Sequence, residues 1–462
     1  MKRYYDREEE LRVLAKESQL VAKNKKSRLA VITGRRRVGK TELLLHAAKE
    51  MPGTFIYLFS TRTQKETLIE DWAKTICDAL GIAFPPKFDR LSKLIEYLLF
   101  LAKDRQINVA IDECQDISYI EPSFWSEVQK CWDLQRKDSL LFLMMSGSIA
   151  SAMRNIFQEY SEPLYGRVDR LIQVRPFGAK VLCEILDDYS PSFDPDDLLA
   201  LYTLTGGVAW FVEDLMERGA CRLEDMADVA FSSGSKFMMD GEILLANEFR
   251  ADANLNRGIL QAIAEGVTKR EELQNRFSSI QIAGALSRLE NQYEMIAKNA
   301  PVLEHNYRKS RYKMRDRYLM FWFTFVQSSR RLIECNDFAA AKRIFLSNYE
   351  TFSGRALEQY FTEKFSAEAS FITLGGWWDR KGGNEIDLIA EDERSVFIFE
   401  IKRNRNKINL KELGQKSEAF LAQHPKLREK AVHLGGLSLM DMKTDVRTLL
   451  AVRQNESNQN LA

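Results

Sequence analysis

Histidine, cysteine and long apolar runs are what this 462-residue chain has least of. Its four histidines are scattered, and its six cysteines (Cys77, Cys114, Cys131, Cys183, Cys221 and Cys335) form no CxxC pair. That speaks against a zinc site and for free thiols in a reducing compartment. The longest apolar stretches, LLFLMM and YLMFWFTFV, fall well short of the roughly 20 residues that span a bilayer. The opening MKRYYDREEE is too polar for a leader, so a cytoplasmic protein without a membrane partner is expected. An excess of one charge is also missing. With 67 Lys and Arg against 66 Asp and Glu, the formal net charge is +1, so any attraction to nucleic acid has to be local. There are no internal repeats. What the chain does have is 45% hydrophobic residues, enough for real cores in about three domains.

Up to about residue 185, strand-like and helix-like runs alternate. RLAVITG, TFIYLFS, INVAIDE and SLLFLMMSG read as strands, whereas KTELLLHAAKE, LSKLIEYLLFLAKDR and FWSEVQKCWDLQ carry helical periodicity. This alternation predicts an α/β fold, a parallel sheet with helices on both faces. Beyond it the pattern turns helical in DPDDLLALYTLTGGVAWFVEDLMERGA. A compact unit follows, in which Ile282, Leu286, Leu289 and Tyr293 share one helical face. From about residue 350 a helix, FSGRALEQYFTEKFSAEA, leads into two strands joined by the charged EDER.

Gly34-Arg35-Arg36-Arg37-Val38-Gly39-Lys40-Thr41 satisfies G-x-x-x-x-G-K-[ST], between a predicted strand and a predicted helix. The glycines let backbone N–H groups turn toward phosphate oxygens, and the helix N-terminus adds a favourable dipole. Lys40 is expected to reach the β- and γ-phosphates of ATP, and the Thr41 hydroxyl to help hold Mg²⁺. INVAIDECQDI has the form of a Walker B strand. Asp112 would then hold Mg²⁺ and Glu113 would act as general base on water. The strand ending in MMSGS places Ser146 and Ser148 at the carboxyl edge, where either could sense the γ-phosphate.

These stretches, GRRRVGKTEL, IDECQ, SGS and PLYGRVDRLIQVRPFG, resemble the archaeal-type P-loop ATPases related to the AAA+ and STAND groups. YDREEELRVL is similar to that family's opening segment, which packs near the adenine. The resemblance implies that Arg167 is a γ-phosphate or inter-subunit arginine, and with it a possible homo-oligomer. LTGGVAWFVEDL resembles a helical-lid Gly-Gly-x-Pro motif, with Ala209 where the proline is expected.

Residues 250–305 have the size and pattern of a winged helix. Its candidate recognition helix, IQIAGALSRLENQYEMI, offers only Gln281, Ser287, Arg288 and Asn291 on the outer face, so a structural role is expected to prevail over major-groove reading. YKMRDRYLMFWFTFV reads as a buried docking helix and not as a stacking platform. In the final hairpin, alternation puts Val396, Ile398, Glu400 and Lys402 on one face and Phe397, Phe399 and Ile401 on the other. Asp387 can lie opposite Glu400 and Lys402. The resulting D…E-x-K set resembles the PD-(D/E)XK site of restriction-endonuclease-like domains, with Ile386 in place of the proline. The resemblance implies that Asp387 and Glu400 hold Mg²⁺, that Lys402 positions water, that Glu358 completes the metal shell, and that Gln415 is accessory. The basic run KRNRNK could contact phosphates.

The expected organisation is a P-loop ATPase domain over 1–185, a helical lid over 186–245, and a winged-helix module over 246–305. A helical connector over 306–345, a nuclease-like domain over 346–452 and a disordered tail over 453–462 complete it. The expected function is an ATP- and Mg²⁺-dependent ATPase coupled to a nuclease-like domain acting on DNA. The alternative is a STAND-type switch whose last domain binds without cutting. Arg35, Arg36 and Arg37 are tolerated in the loop because the backbone does the binding. Their side chains can raise the local potential for nucleotide capture or pair with acids elsewhere.

Overall fold

The computed structural model describes residues 1–84, 86–249, 253–304, 310–379 and 383–459, with side chains as far as 454. It divides into two compact units, one of residues 6–176 and one of residues 1–5 with 177–462. The break in packing lies at Pro176–Phe177, ahead of the boundary expected at 185.

In the unit 6–176, five strands run parallel in the order β2-β3-β4-β1-β5: β1 (Arg28–Thr33), β2 (Thr54–Phe59), β3 (Ile107–Asp112), β4 (Leu141–Gly147) and β5 (Arg170–Gln173). Every residue of β3 and β4 is buried, the mark of strands covered on both faces. Period-two alternation sorts the core. Ala30 and Ile32 pack with Leu14, Val21 and Leu44 on one face, while Leu29 and Val31 pack with Trp72, Leu98 and Trp132 on the other. The predicted parallel sheet between helices is therefore present. Strand β4 separates the loop-bearing strand β1 from β3, so three adjacent carboxyl ends meet at one edge. In open α/β sheets that edge is where ligands bind.

The other unit begins with the helices Ala179–Tyr189, Pro195–Thr205, Ala209–Glu217, Leu223–Ala230 and Lys236–Glu248. Pro195–Thr205 starts at a capping box on Asp194, and its residues from Asp197 onward are all buried. The Gly206–Gly207 corner follows. Its second glycine has φ +77°, and a Cβ there would sit 2.1 Å from Phe177 O. Only glycine allows that approach, which Phe177 N–H uses to donate to Gly207 O at 2.7 Å. Ala209 opens the next helix at its first position, where a proline would also be accommodated.

Helices Ala253–Ala264, Arg270–Arg276 and Ala283–Ser287 precede a hairpin of β6 (Ile296–Asn299) and β7 (Arg311–Met314). Ile282, Leu286 and Leu289 are buried as their spacing predicts, with Tyr293 half-buried. The aromatic segment Arg317–Gln327 is a buried helix. Phe211 stacks on Tyr318 and Phe237 at centroid distances of 4.4 and 4.5 Å, so it offers no open stacking platform.

The 31-residue helix Phe338–Glu368 runs through the boundary expected at 345–346. It leads into β8 (Thr373–Trp378), β9 (Glu385–Glu391), β10 (Ser395–Ile401) and β11 (Ala431–Leu437), in the order β11-β10-β9-β8. Strands β9 and β10 are the expected hairpin. The parallel pair β10 and β11 is joined across helix Leu410–Gln423. Val396 and Ile398 pack with Leu413 and Phe420, whereas Phe397, Phe399 and Ile401 enter the opposite core, as the alternation predicts. Helix Val446–Gln459 runs into the stretch expected as a tail, with its apolar start, Val446 and Leu449, packed in the core. Residues 460–462 lie outside the described residues. Among the described residues no helix is long and apolar enough to cross a membrane.

Candidate nucleotide and carboxylate sites

The loop between β1 and helix Lys40–Ala47 is built around two glycines. A Cβ on Gly34 would meet Val174 O at 2.5 Å, and Gly39 has φ +100°. Arg37 also takes a left-handed conformation, at φ +66°. Val38 is fully buried and anchors the loop, while Arg35 and Arg37 are half-buried and Arg36 is exposed. The three arginines thus ride on a loop fixed by its apolar and glycine positions. Lys40 is buried and donates to Gly34 O at 3.0 Å and Arg35 O at 3.2 Å. Burial pulls its ammonium below the usual value, against the opposing charges of Glu113 and Asp112.

Below the loop, Thr41 Oγ1 donates to Asp112 Oδ2 at 2.6 Å, and the Tyr57 hydroxyl donates to the same oxygen at 2.9 Å. Glu113 follows at φ +51°, with its backbone N–H on Asp112 Oδ1 at 3.0 Å. Its carboxylate receives Gln115 Nε2 at 2.6 Å and Ser148 Oγ at 2.7 Å. The structure therefore brings Lys40, Thr41, Asp112 and Glu113 together. It favours Ser148 over Ser146 as the serine of the site, because Ser146 lies wholly buried within β4, its hydroxyl without a hydrogen-bond partner.

Arg167, expected as a γ-phosphate or inter-subunit arginine, is held by Asp133. It makes a two-pronged pair with Asp133, Nε at 2.9 Å and Nη2 at 2.7 Å, and Nη1 donates to Pro163 O and Tyr165 O. A phosphate role would require breaking that pair. Two side chains escaped the sequence reading. Tyr57 sits in an ordinary apolar strand with nothing to mark it. Arg7, within the quoted opening segment, is buried and donates to Val38 O at 3.3 Å and Arg175 O at 2.7 Å, so it braces the loop from behind.

In the other unit, the register of β9 and β10 sets Asp387 opposite Glu400. Ile401 N–H donates to Asp387 Oδ2 at 2.7 Å, and Asn409 N–H to Glu400 Oε2 at 2.8 Å. Lys402 Nζ lies 3.3 Å from Asp387 and 3.5 Å from Glu400, so the D…E-x-K set is assembled. Burial raises the Asp387 carboxyl above its usual range, against the Ile401 amide and Lys402. Lys402 loses solvation by partial burial, yet Asp387 and Glu400 outweigh this and raise it. Glu358, half-buried on the long helix, is pushed well above the carboxylate range by desolvation, then by the charges of Asp387 and Glu385. Gln415 lies exposed on helix Leu410–Gln423. Among the described residues no three His, Cys, Asp or Glu side chains are gathered closely enough to hold a metal as they stand. Here Lys402 occupies the space between the two carboxylates.

The KRNRNK run is not a free basic strip. Arg403 donates to both oxygens of Asp196, at 2.8 and 2.7 Å, and to Ser353 Oγ at 2.7 Å, while Arg405 pairs with Asp441 at 3.2 Å. Sequence offered no signal for the Asp196 partner, more than two hundred positions away.

Comparison with known proteins bears on the unit that holds the first of these sites. A family model described as an ATPase domain predominantly from Archaea matches residues 4–215, and a second, of archaeal and bacterial proteins of unknown function, matches 322–413. An uncharacterized protein of Methanocaldococcus jannaschii is 26% identical over 410 residues, covering 86% of each chain. The solved Walker-type ATPase of Pyrococcus abyssi shares the fold at a TM-score of 0.51 and 22% identity, over 69% of this chain and 96% of that one. The ORC2 protein of Aeropyrum pernix aligns at a TM-score of 0.47 and 13% identity, over 70% of this chain and 95% of that one. Residues 4–215 are thus similar to an ATPase domain found predominantly in Archaea.

Proposed function

We propose that this protein binds and hydrolyses ATP in the unit 6–176, and that its other unit ends in a nuclease-like domain acting on DNA. The observation that supports the first part most directly is the convergence of Thr41, Asp112 and Glu113 under the Lys40 loop. A neutral hydroxyl beside a carboxylate is a donor set suited to a hard divalent cation, so the residues fit Mg²⁺. When bound, Mg²⁺ would neutralise charge on the β- and γ-phosphate oxygens. The loop amides and Lys40 grip the phosphates, and Glu113, fixed by Gln115 and Ser148, takes the proton of the attacking water.

In the nuclease-like reading, the Asp387 and Glu400 carboxylates are the metal ligands, with Glu358 beside them. Burial is the foremost cause of the raised Glu358 and Asp387 carboxyls, and a bound divalent cation would offset the cost of ionising them there. Such an ion would supply charge for a phosphodiester, and Lys402 would orient the water. The three helices ahead of hairpin β6–β7 support a winged-helix reading of the middle module. A second reading, a nucleotide-driven oligomerisation switch with a non-cleaving last domain, is favoured by the position of Lys402, which already neutralises the carboxylate pair.

One set of variants separates these. Lys40→Ala is expected to lose ATP binding, and Glu113→Gln to keep it while losing ATP turnover by about a hundredfold or more. Asp387→Asn or Lys402→Ala should abolish Mg²⁺-dependent DNA cleavage and leave ATP turnover unchanged. A native protein that turns over ATP but cuts no DNA or RNA with Mg²⁺ or Mn²⁺ would favour the switch.

A further inference from the structure

Hairpin β6–β7 reaches onto the sheet that carries the carboxylates. Val302, just past β6, donates its backbone N–H to Gly376 O on edge strand β8 at 3.0 Å. A Cβ on Gly375 would meet Val302 Cγ1 at 3.0 Å, so the paired glycines of GGWW permit this approach. On β7, Arg311 Nη1 donates to Glu385 Oε1 at 2.8 Å, and its guanidinium lies 4.6 Å from the Trp378 ring centre. Glu385 opens β9 two residues before Asp387, and its charge acts on Glu358. Two positions further along β7, and so on the same face as Arg311, stands Lys313, whose pKa desolvation lowers against the opposing charge of Glu363. Glu363 stands on the same long helix as Glu358 and Arg355. Arg311 on the hairpin, Arg355 on the long helix and Lys402 just past β10 thus border one carboxylate set.

We propose that β7 and the carboxylate sheet form one phosphodiester-binding surface, on which Arg311 and Lys313 grip backbone phosphates flanking the one presented to Asp387 and Glu400. Presentation of a phosphate to Asp387 and Glu400 rests on the nuclease-like reading; the binding surface does not. Acids alone repel a polyanion, and cations alone cannot hold a metal. The alternation of the two at one site suits a phosphate chain with a divalent ion. Arg311 and Glu385 are both partly exposed, at 26% and 46%, and such ion pairs are worth little. A phosphate can therefore take the place of Glu385 and gain a charge-assisted, two-pronged contact with Arg311.

The test is fluorescence anisotropy with labelled duplex DNA, single-stranded DNA and RNA of equal length, in Mg²⁺, on an Asp387→Asn background that prevents cleavage. Arg311→Gln and Lys313→Gln should each weaken binding about tenfold at 100 mM salt and lower the log–log salt slope by about 0.9. Glu385→Gln should bind as tightly as the parent or tighter, because it frees Arg311. Thermal melts check that each variant is folded, and the tightest of the three probes identifies the natural polymer. Native affinity and slope in both variants, no binding of any probe, or a Glu385→Gln loss equal to that of Arg311→Gln would each overturn the proposal. Binding that depends on Arg311 and Lys313 without cleavage by native protein would remove the nuclease reading and leave the surface standing. Cleavage with unchanged binding in the variants would do the reverse.

Discussion

Glu358 shows what a single carboxyl reports about its surroundings. Its pKa is lifted to about 8, foremost by desolvation and then by Asp387 and Glu385. An ordinary Glu in the unfolded chain titrates near ~4.3. The folded state therefore holds this proton more tightly than the unfolded state does. The stability it contributes is complete below about pH 4.3 and is lost as pH rises through about 8. Melting temperatures of native protein should fall across that window, and Glu358→Gln should flatten the fall and melt higher at pH 8. Added Mg²⁺ at pH 8 should raise the native melting temperature more than that of the variant. An identical pH profile in both proteins would show that Glu358 is not the group concerned. At this scale the sequence was legible wherever chemistry depends on short spacing. Gly34 to Thr41 and Asp112-Glu113 are contiguous, and Asp387 meets Glu400 and Lys402 through one hairpin register. It was not legible for Tyr57, Arg7 or the Arg403–Asp196 pair, whose partners are fixed only by packing across the unit. Arg167 illustrates the converse, since its motif position gave no sign of the Asp133 carboxylate that it pairs with.

Elements were legible where burial was two-sided or alternation strict. β3 and β4 read as strands because every residue in them is buried. The opposite faces of β10 were readable because Phe and Val/Ile alternate around Glu400. The reason for the paired glycines after Thr205 was not legible, because it lies in the backbone of Phe177, which approaches from the irregular segment ahead of helix Ala179–Tyr189. Gly207→Ala joins a left-handed conformation to a contact of 2.1 Å and should cost about 3 kcal/mol, read from the denaturation midpoint at constant m-value. An unchanged midpoint would mean that the corner can open without loss. Gly81, with φ +68° and open space around it, provides the milder control.

At the scale of the molecule, composition suggested about three domains and the packing makes two units. The helices, the hairpin β6–β7 and the terminal sheet fall within one of them. One apolar core runs through that unit, from Leu198 and Phe211 past Leu286, Tyr318 and Phe345 to Phe397 and Leu449. Polar junctions distant in sequence add to it: Arg403 on Asp196, and Arg317 on both Gly206 O, at 2.9 Å, and Glu363, at 2.7 Å. Hydrophobic periodicity cannot announce such pairs, so a reading by segments divides what packing unites.

The four-stranded sheet has two borders, and each is met by a segment from elsewhere. Val302 hydrogen-bonds to β8, and on the far side the buried Arg453 donates to Gly436 O of β11 at 3.0 Å. Open strand borders recruit strands from other molecules. Removing residues 453–462 as a dispensable tail should therefore convert a dispersed protein into a self-associating one, visible as concentration-dependent growth in light scattering. A truncated chain that stays monodisperse would show that β11 needs no cover. Arg453 serves, on this view, as protection against other copies of the same chain.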